Sequence, residues 1–388
     1  HNPNYEYDLF IKWALAQALA MKAELEDQLG YDAQIPYLDD DLGFEDWAPS
    51  YTPQYSMFHG AYAHTLETPF DDERGVAADY AAVWGALKFV AANQEGMIAD
   101  QIEIFRRGYL DLLQQPIPPE LLPEYPQYEE LMLQDFPAGY VIPATTPFQP
   151  SQHQAARLVD YLLFNDVQVH QASQSFLLDG VEYPAGTYVV WMNQAKRGMA
   201  NTILEDGLDL SDIPGLYFYS PPTVWSNPRL WGAELAVMED RIDIATVEIK
   251  SAARPQGSVE GGSAGAYAYS PTSIAAIQAT NELLARGVAL YRTEFPFEDS
   301  SRTFEAGTFL LPADARLAED VAQKYGLEVA ALASRPEGAT PLRQPRIVAM
   351  LPAAGWNLLG RLGFRFDALS LQDLNAGPDL AAYDVLVN

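Results

Sequence analysis

The sequence predicts an α/β protein of several domains, and three observations carry that expectation. Apolar residues recur at helical steps through 7–29 and again through 75–107. A block of strand and helix patterns then occurs twice, Leu162 matching Leu283 and Gly186 matching Gly307, an offset of 121 residues at both anchors. Last, the apolar run that follows Arg346, from Ile347 to Leu351, suits a central parallel strand covered on both faces.

Composition sets the limits. A chain of 388 residues holds two or three domains of about 100–200 residues each. Hydrophobic content of 48 % and aromatic content of 12 % describe a chain that buries a core rather than a disordered one. There are no cysteines, which excludes disulfides, thiolate metal sites and cysteine nucleophiles within the chain. With 23 basic residues against 53 acidic ones, the net charge of −30 repels phosphate backbones and anionic lipid, so nucleic acid is not expected as a partner. No apolar stretch reaches the roughly 20 residues that a membrane-spanning helix needs.

In chain order, 7–29 reads as an amphipathic helix stopped by Gly30. The acidic stretch that follows places Asp39, Asp41 and Gly43 like the start of a calcium loop, but Ser50 stands where the bidentate Glu belongs, so a solvated loop is expected. Residues 60–69 alternate like a strand, with Ala61, Ala63, Thr65 and Glu67 on one side, Tyr62, His64 and Leu66 on the other, and Pro69 closing the ladder. The helical run after it carries Val76, Tyr80, Val83, Trp84, Leu87, Val90, Met97, Ile98, Ile102 and Phe105 on one broad stripe, expected to be core. Prolines 116, 118, 119, 123 and 126 then mark a semi-rigid boundary.

Each copy of the repeated block reads as a strand (139–142; 266–269), a helix (151–164; 273–286), a second strand, and a hairpin whose return arm follows an Ala-Gly-Thr turn. A further helix follows (195–205; 313–326), and two such units would share an interface or one extended sheet. Between them, Tyr217, Phe218, Tyr219, Trp225 and Trp231 offer either a platform for peptide or glycan or, more simply, an interdomain core. The glycine-rich 257–265 lacks the Lys-Ser/Thr of a phosphate-binding loop and reads as a flexible linker. After the strand at 346–351, a helix over 356–363 and strands at 364–369 and 384–387 complete the start of a doubly wound unit. The resulting division is 1–112, a linker at 113–137, 138–256, 257–342 and 343–388.

The candidate site is Glu67, a carboxylate where a strand would open into a loop. The spacing His64-x-x-Glu67 spells a zinc-binding pair, yet on a strand residues three apart face opposite ways, and a lone Glu is most often simply solvated. His59, next to this stretch, is a candidate substrate contact, against the commoner role of a hydrogen-bonded structural histidine.

Ala63-His64-Thr65-Leu66-Glu67-Thr68-Pro69, followed by the helical run, resembles the end of the catalytic domain in bacterial zinc carboxypeptidase-like metallopeptidases, the carboxypeptidase A family. The resemblance implies that 1–112 is the C-terminal remnant of a zinc-carboxypeptidase α/β domain, with Glu67 as general base for a zinc-bound water and a peptide or peptide-like amide as substrate. It also implies that 343–388 begins a class I glutamine amidotransferase-like domain. His1 in place of Met, and a strand pattern at the last residue, read as an excerpt of a longer polypeptide. Zinc is the cofactor expected of that parent, with its ligands outside this chain, and this chain alone is expected to be inactive. Secretion or a periplasmic setting rests on the same analogy. The rival reading is a non-catalytic binding or scaffold protein in which the peptidase part is degenerate and the repeated units recognise a polymer.

Overall fold

The computed structural model describes residues 2–39, 49, 51–122, 133–206, 226–262, 264–300 and 302–388. It is an α/β protein whose chain forms two compact units, one of His1–Gln149 with Arg157–Ala252 and one of Pro150–Ala156 with Ala253–Asn388.

The first unit opens with helix α1 (Tyr7–Leu29), which ends as its sequence predicts: Gly30 takes a left-handed conformation at φ 67° and its N–H caps the Glu26 carbonyl. Short helices α2 (Pro36–Asp39) and α3 (Thr52–Met57) follow, and then the long α4 (Glu73–Tyr109), begun by the Asp72 side chain accepting from Arg74 N at 2.9 Å. α4 runs antiparallel to α1. The two backbones approach closely because glycine and alanine line the seam: a Cβ on Gly85 would sit 2.8 Å from the Ala20 carbonyl oxygen, and Ala81 and Ala82 are fully buried.

Two sequence expectations fail in this region. Residues 61–68 form no strand; they are irregular, and no ladder partner exists for them among the described residues. Alternation alone cannot make a strand, because the conformation is held by hydrogen bonds to a neighbour. The α4 stripe, expected to be core, is largely exposed: Val76 at 72 %, Tyr80 at 65 %, Leu87 at 56 % and Ile102 at 62 %. The small residues of the opposite face pack on α1 instead.

The same unit continues through β1 (Gly139–Ile142), α5 (Gln152–Phe164, whose first turn belongs to the second unit), β2 (His170–Ala172), β3 (Phe176–Leu178), β4 (Val181–Tyr183) and β5 (Tyr188–Trp191). Then come α6 (Arg197–Leu204), α7 (Asn227–Trp231), β6 (Ala236–Met238) and β7 (Thr246–Glu248). The sheet order is β6-β1-β5-β2-β7 with every pair antiparallel, and β3-β4 is a separate two-stranded ribbon. Its core is Val141, Val189 and Met238 with the ribbon's Phe176 and Tyr183.

The second unit contains β8 (Ser258–Glu260), β9 (Ala266–Tyr269), α8 (Ile274–Ala285), β10 (Tyr291–Arg292), β11 (Phe297–Asp299), β12 (Arg302–Phe304), β13 (Phe309–Leu311), α9 (Ala315–Tyr325), β14 (Glu328–Leu332) and β15 (Thr340–Pro341). Its sheet runs β15-β10-β13-β9-β14-β8. Read from β14, this is the order and orientation of the first sheet with one strand added, β8 lying parallel to β14. Among the described residues each copy forms a sheet of its own, and no strand pairing joins the two sheets.

The correspondence reaches single backbone angles. Asp166, Asp179 and Gly186 have φ of 61°, 51° and 94°; Gly287, Ser300 and Gly307, each 121 residues on, have 77°, 51° and 91°. Gly186 N donates to Ala172 O at 2.8 Å, and Gly307 N donates to Thr293 O at 2.9 Å. The Ala-Gly-Thr turn leads from the ribbon into the sheet strand rather than closing a hairpin, since β2 pairs with β5 across the ribbon.

Glycine-rich 257–265 is not simply a linker, because it contains the edge strand β8. Glycine serves close approach there: a Cβ on Gly265 would stand 2.4 Å from the Ala333 carbonyl oxygen. Beyond β15 lie β16 (Ile347–Ala349), α10 (Ala353–Arg361), β17 (Phe366–Ala368), α11 (Leu371–Asn375) and β18 (Val385–Val387). As the apolar run predicts, β16 is central and parallel to both neighbours in the order β17-β16-β18.

Candidate functional site

The stretch that carries Glu67 is pinned at both ends. At Gly60, φ is 93° and an added Cβ would meet Gln101 and Phe105 of α4 at 3.0 Å; the Gln101 side chain donates to the Gly60 carbonyl. The Tyr62 ring stacks on Phe10 with centroids 5.9 Å apart, and its hydroxyl donates to Met97 O at 3.0 Å. Burial, and then the Asp100 charge, push that phenol well above the usual tyrosine range. At the far end the Phe70 ring lies 4.4 Å under the Arg74 guanidinium, and Phe70 O abuts Gly75.

Between these pins, residues 63–70 form one wall of a cavity of about 810 Å³. Phe10, Ile11 and Ala14 of α1 supply apolar surface, residues 30–37 form a second wall, and Pro53 and Met57 come from α3. Its size falls in the range of small-molecule and side-chain pockets. Polar side chains reach it from several walls, Asp32, Gln34, Gln54 and Asp79 among them. Glu67 is exposed at the cavity, while two side-chain atoms on the same wall are buried without a hydrogen-bond partner: His64 Nε2 and Thr68 Oγ1. Burial lowers the His64 pKa, so its imidazole is held neutral and Nε2 is either a donor or an acceptor, according to tautomer. Tyr37 also lines the cavity, but its hydroxyl is committed to Leu121 O at 2.8 Å, with its pKa pushed up to about 12 by burial.

The structure thus brings His64 and Glu67 to one cavity, which a regular strand would not have done. It does not bring them to a metal: among the described residues no three His, Asp or Glu side chains lie together as a ligand set. These residues by themselves do not fit zinc.

His59 is not on the cavity wall. Its Nδ1 lies 3.0 Å from Lys196 Nζ, and its ring packs on Tyr55 with centroids 4.8 Å apart. Burial, then the Lys196 charge, lower its pKa; burial likewise lowers that of Lys196. Of the calcium-loop residues, Asp39 caps α2 by accepting from Ile35 N at 2.8 Å, and Asp41, Gly43 and Ser50 lie outside the described residues. Tyr217, Phe218, Tyr219 and Trp225 also lie outside them; Trp231 is held between Tyr161 and the Arg157 guanidinium, 4.1 Å from its ring.

The sequence offers His64 as a candidate metal ligand and nothing that sets Thr68 apart. The signal lay in the crowding of polar side chains, His64, Thr65, Glu67 and Thr68, on a stretch that the flanking aromatics Tyr62 and Phe70 fix in place. No family model, no curated protein and no solved structure matches the chain.

Proposed function

We propose that these residues belong to a hydrolase of the zinc carboxypeptidase type, acting on peptide or peptide-like amide bonds, with Glu67 as its general base. The observation that carries this reading is the position of Glu67: an exposed carboxylate beside a mainly apolar cavity, on a short stretch fixed by α1 and α4. In this reading the Glu67 carboxylate accepts the proton of the attacking water and delivers it to the leaving amine. His64 and Thr68 orient polar atoms of the substrate from the same wall, and the apolar walls receive a side chain. A zinc ion would supply Lewis-acid activation of that water only if ligands from elsewhere in a parent polypeptide held it. No ligand set for it lies among the described residues. The same reading takes 1–112 as the end of the peptidase domain and 343–388, with its parallel β17-β16-β18, as the start of an amidotransferase-like domain.

The test is Glu67→Gln in the longest natural polypeptide that contains residues 1–388, assayed on blocked dipeptides with a free terminal carboxylate. The expected outcome is a fall in kcat of about 10²–10⁴-fold with little change in KM. Unchanged hydrolysis removes Glu67 from the mechanism. The mainly apolar lining favours one second reading, a non-catalytic binding or scaffold protein, and absence of hydrolysis in the unsubstituted polypeptide would select it.

A further inference from the structure

The cavity between residues 63–70 and 30–37 selects an occupant by charge as well as by shape. Its acidic lining residues are Asp32, Glu67 and Asp79, and no Lys or Arg is among the described residues that line it. Basic side chains on the neighbouring helices are already engaged: Lys22 of α1 pairs with Asp32 at 2.9 Å, and Arg74 of α4 with Asp72 at 2.7 Å. Asp79 of α4 has no such partner. It is half-buried at the cavity and makes neither an ion pair nor a hydrogen bond among the described residues, and a carboxylate partly withdrawn from water is stabilised by a cation. On the 63–70 wall, His64 Nε2 and Thr68 Oγ1 are buried with no hydrogen-bond partner, and burial holds the imidazole neutral. The hydroxyl oxygen can accept, as can Nε2 in the tautomer protonated at Nδ1.

These features discriminate between classes of ligand. A carboxylate or phosphate would enter a lining that holds acidic groups and no cation to meet it. A hydrocarbon would cover Phe10, Ile11 and Met57 but leave Asp79 and the two buried polar atoms unanswered. A primary ammonium brings one positive charge and three N–H donors, with no acceptor of its own to satisfy. We infer that this cavity binds a primary amine with an apolar body, Thr68 Oγ1 and His64 Nε2 accepting hydrogen bonds from the ammonium and Asp79 supplying the countercharge. The body lies on the apolar surface of α1 and α3, and a volume of about 810 Å³ holds an aromatic ring with room to spare. Two sources share this chemistry, a free aryl- or alkylamine and the lysine side chain of a polypeptide. The inference has its cavity in common with the hydrolase reading but concerns binding alone, which needs neither turnover nor a metal.

Titration calorimetry on the 388-residue chain at neutral pH, with phenethylamine, phenethyl alcohol and phenylpropionate as probes, tests it. The probes share a phenyl ring and differ in charge. The amine is expected to bind, the alcohol to bind about 10-fold more weakly, and the carboxylate not to bind. Asp79→Asn is expected to weaken the amine by about 10-fold and to leave the alcohol unchanged, a contrast that loss of folding would not produce. Thr68→Val should weaken the amine by a similar factor. Displacement of bound phenethylamine by α-acetylated lysine amide assigns the site to a polypeptide side chain, and failure to displace it assigns the site to a free amine; either result upholds the ligand class. Absence of binding by the amine, an amine no tighter than the alcohol, a carboxylate as tight as the amine, or equal loss of both ligands in Asp79→Asn overturns the inference. Amine binding by a polypeptide that hydrolyses nothing would retain this inference and remove the hydrolase reading, and hydrolysis without amine binding would do the reverse.

Discussion

Arg107, in the last turn of α4, and Asp8, in the first turn of α1, form a two-bond ion pair, Nη1 to Oδ1 at 2.7 Å and Nη2 to Oδ2 at 2.9 Å. Only 11 % and 12 % of the two side chains are exposed, so solvent screens the pair weakly. Glu6 extends it, accepting from Arg107 at 3.1 Å and from Arg197 of α6 at 2.6 Å. Arg107→Leu strands Asp8 and one side of Glu6, and is expected to cost about 3 kcal/mol. Urea denaturation measures it; a loss below about 1 kcal/mol would mean that water reaches the pair.

The helix seam predicts a contrast between two glycines. Gly85→Ala places a Cβ 2.8 Å from the Ala20 carbonyl oxygen and is expected to cost about 2 kcal/mol through displacement of α1. Gly30→Ala meets nothing within 4 Å, but φ of 67° charges it about 1 kcal/mol of backbone strain. Near-ultraviolet circular dichroism should change for the first and not for the second, because only the first moves packed aromatics such as Trp13.

The two repeated blocks predict equal penalties. Gly186 and Gly307 hold φ of 94° and 91°, with no atom nearer than 3.5 Å to an added Cβ. Each change to Ala is expected to cost about 1 kcal/mol from strain alone, and the double substitution should be additive within about 0.5 kcal/mol. Denaturation of the two single variants and the double variant checks both statements.

Acid and base sensitivity arise from different groups. Burial lowers the pKa of His59, His64, His153 and His170, so the folded chain takes up their protons less readily than the unfolded one. The stability they contribute is complete above about pH 6.5 and is lost as the pH falls below it. Glu205 has the opposite sign. Burial, opposed by a hydrogen bond from Asn4, raises it from 4.5 to about 7, so its contribution is complete below about pH 4.5 and disappears as the pH rises through 7. Glu205→Gln is therefore expected to raise stability at pH 8 by about 1–2 kcal/mol and to change it little at pH 5, by urea denaturation at both values.

Local signals were legible where one residue fixes an outcome. Gly30 set the end of α1, and the constant spacing of Leu162, Gly186 and their partners revealed two blocks of one topology. The run after Arg346 gave the central parallel strand. Where an outcome depends on what lies across the gap, the sequence was silent. Periodicity identified two faces on α4 but not which would meet α1, and bulky residues such as Leu87 were read as core while Gly85, Ala81 and Ala82 made the contact. Alternation at 60–69 suggested a strand without supplying its neighbour. Of the site, Glu67 is singled out by the sequence as the end of a strand that 61–68 does not form, and the unpartnered Nε2 of His64 and hydroxyl of Thr68 depend on α1 and α3 closing around them.

The left-handed positions Asp166, Asp179 and Gly186, repeated at Gly287, Ser300 and Gly307, have a modular consequence. The spans they punctuate are of the same length and bend at the same places, so either could be grafted into the other's position without insertion or deletion.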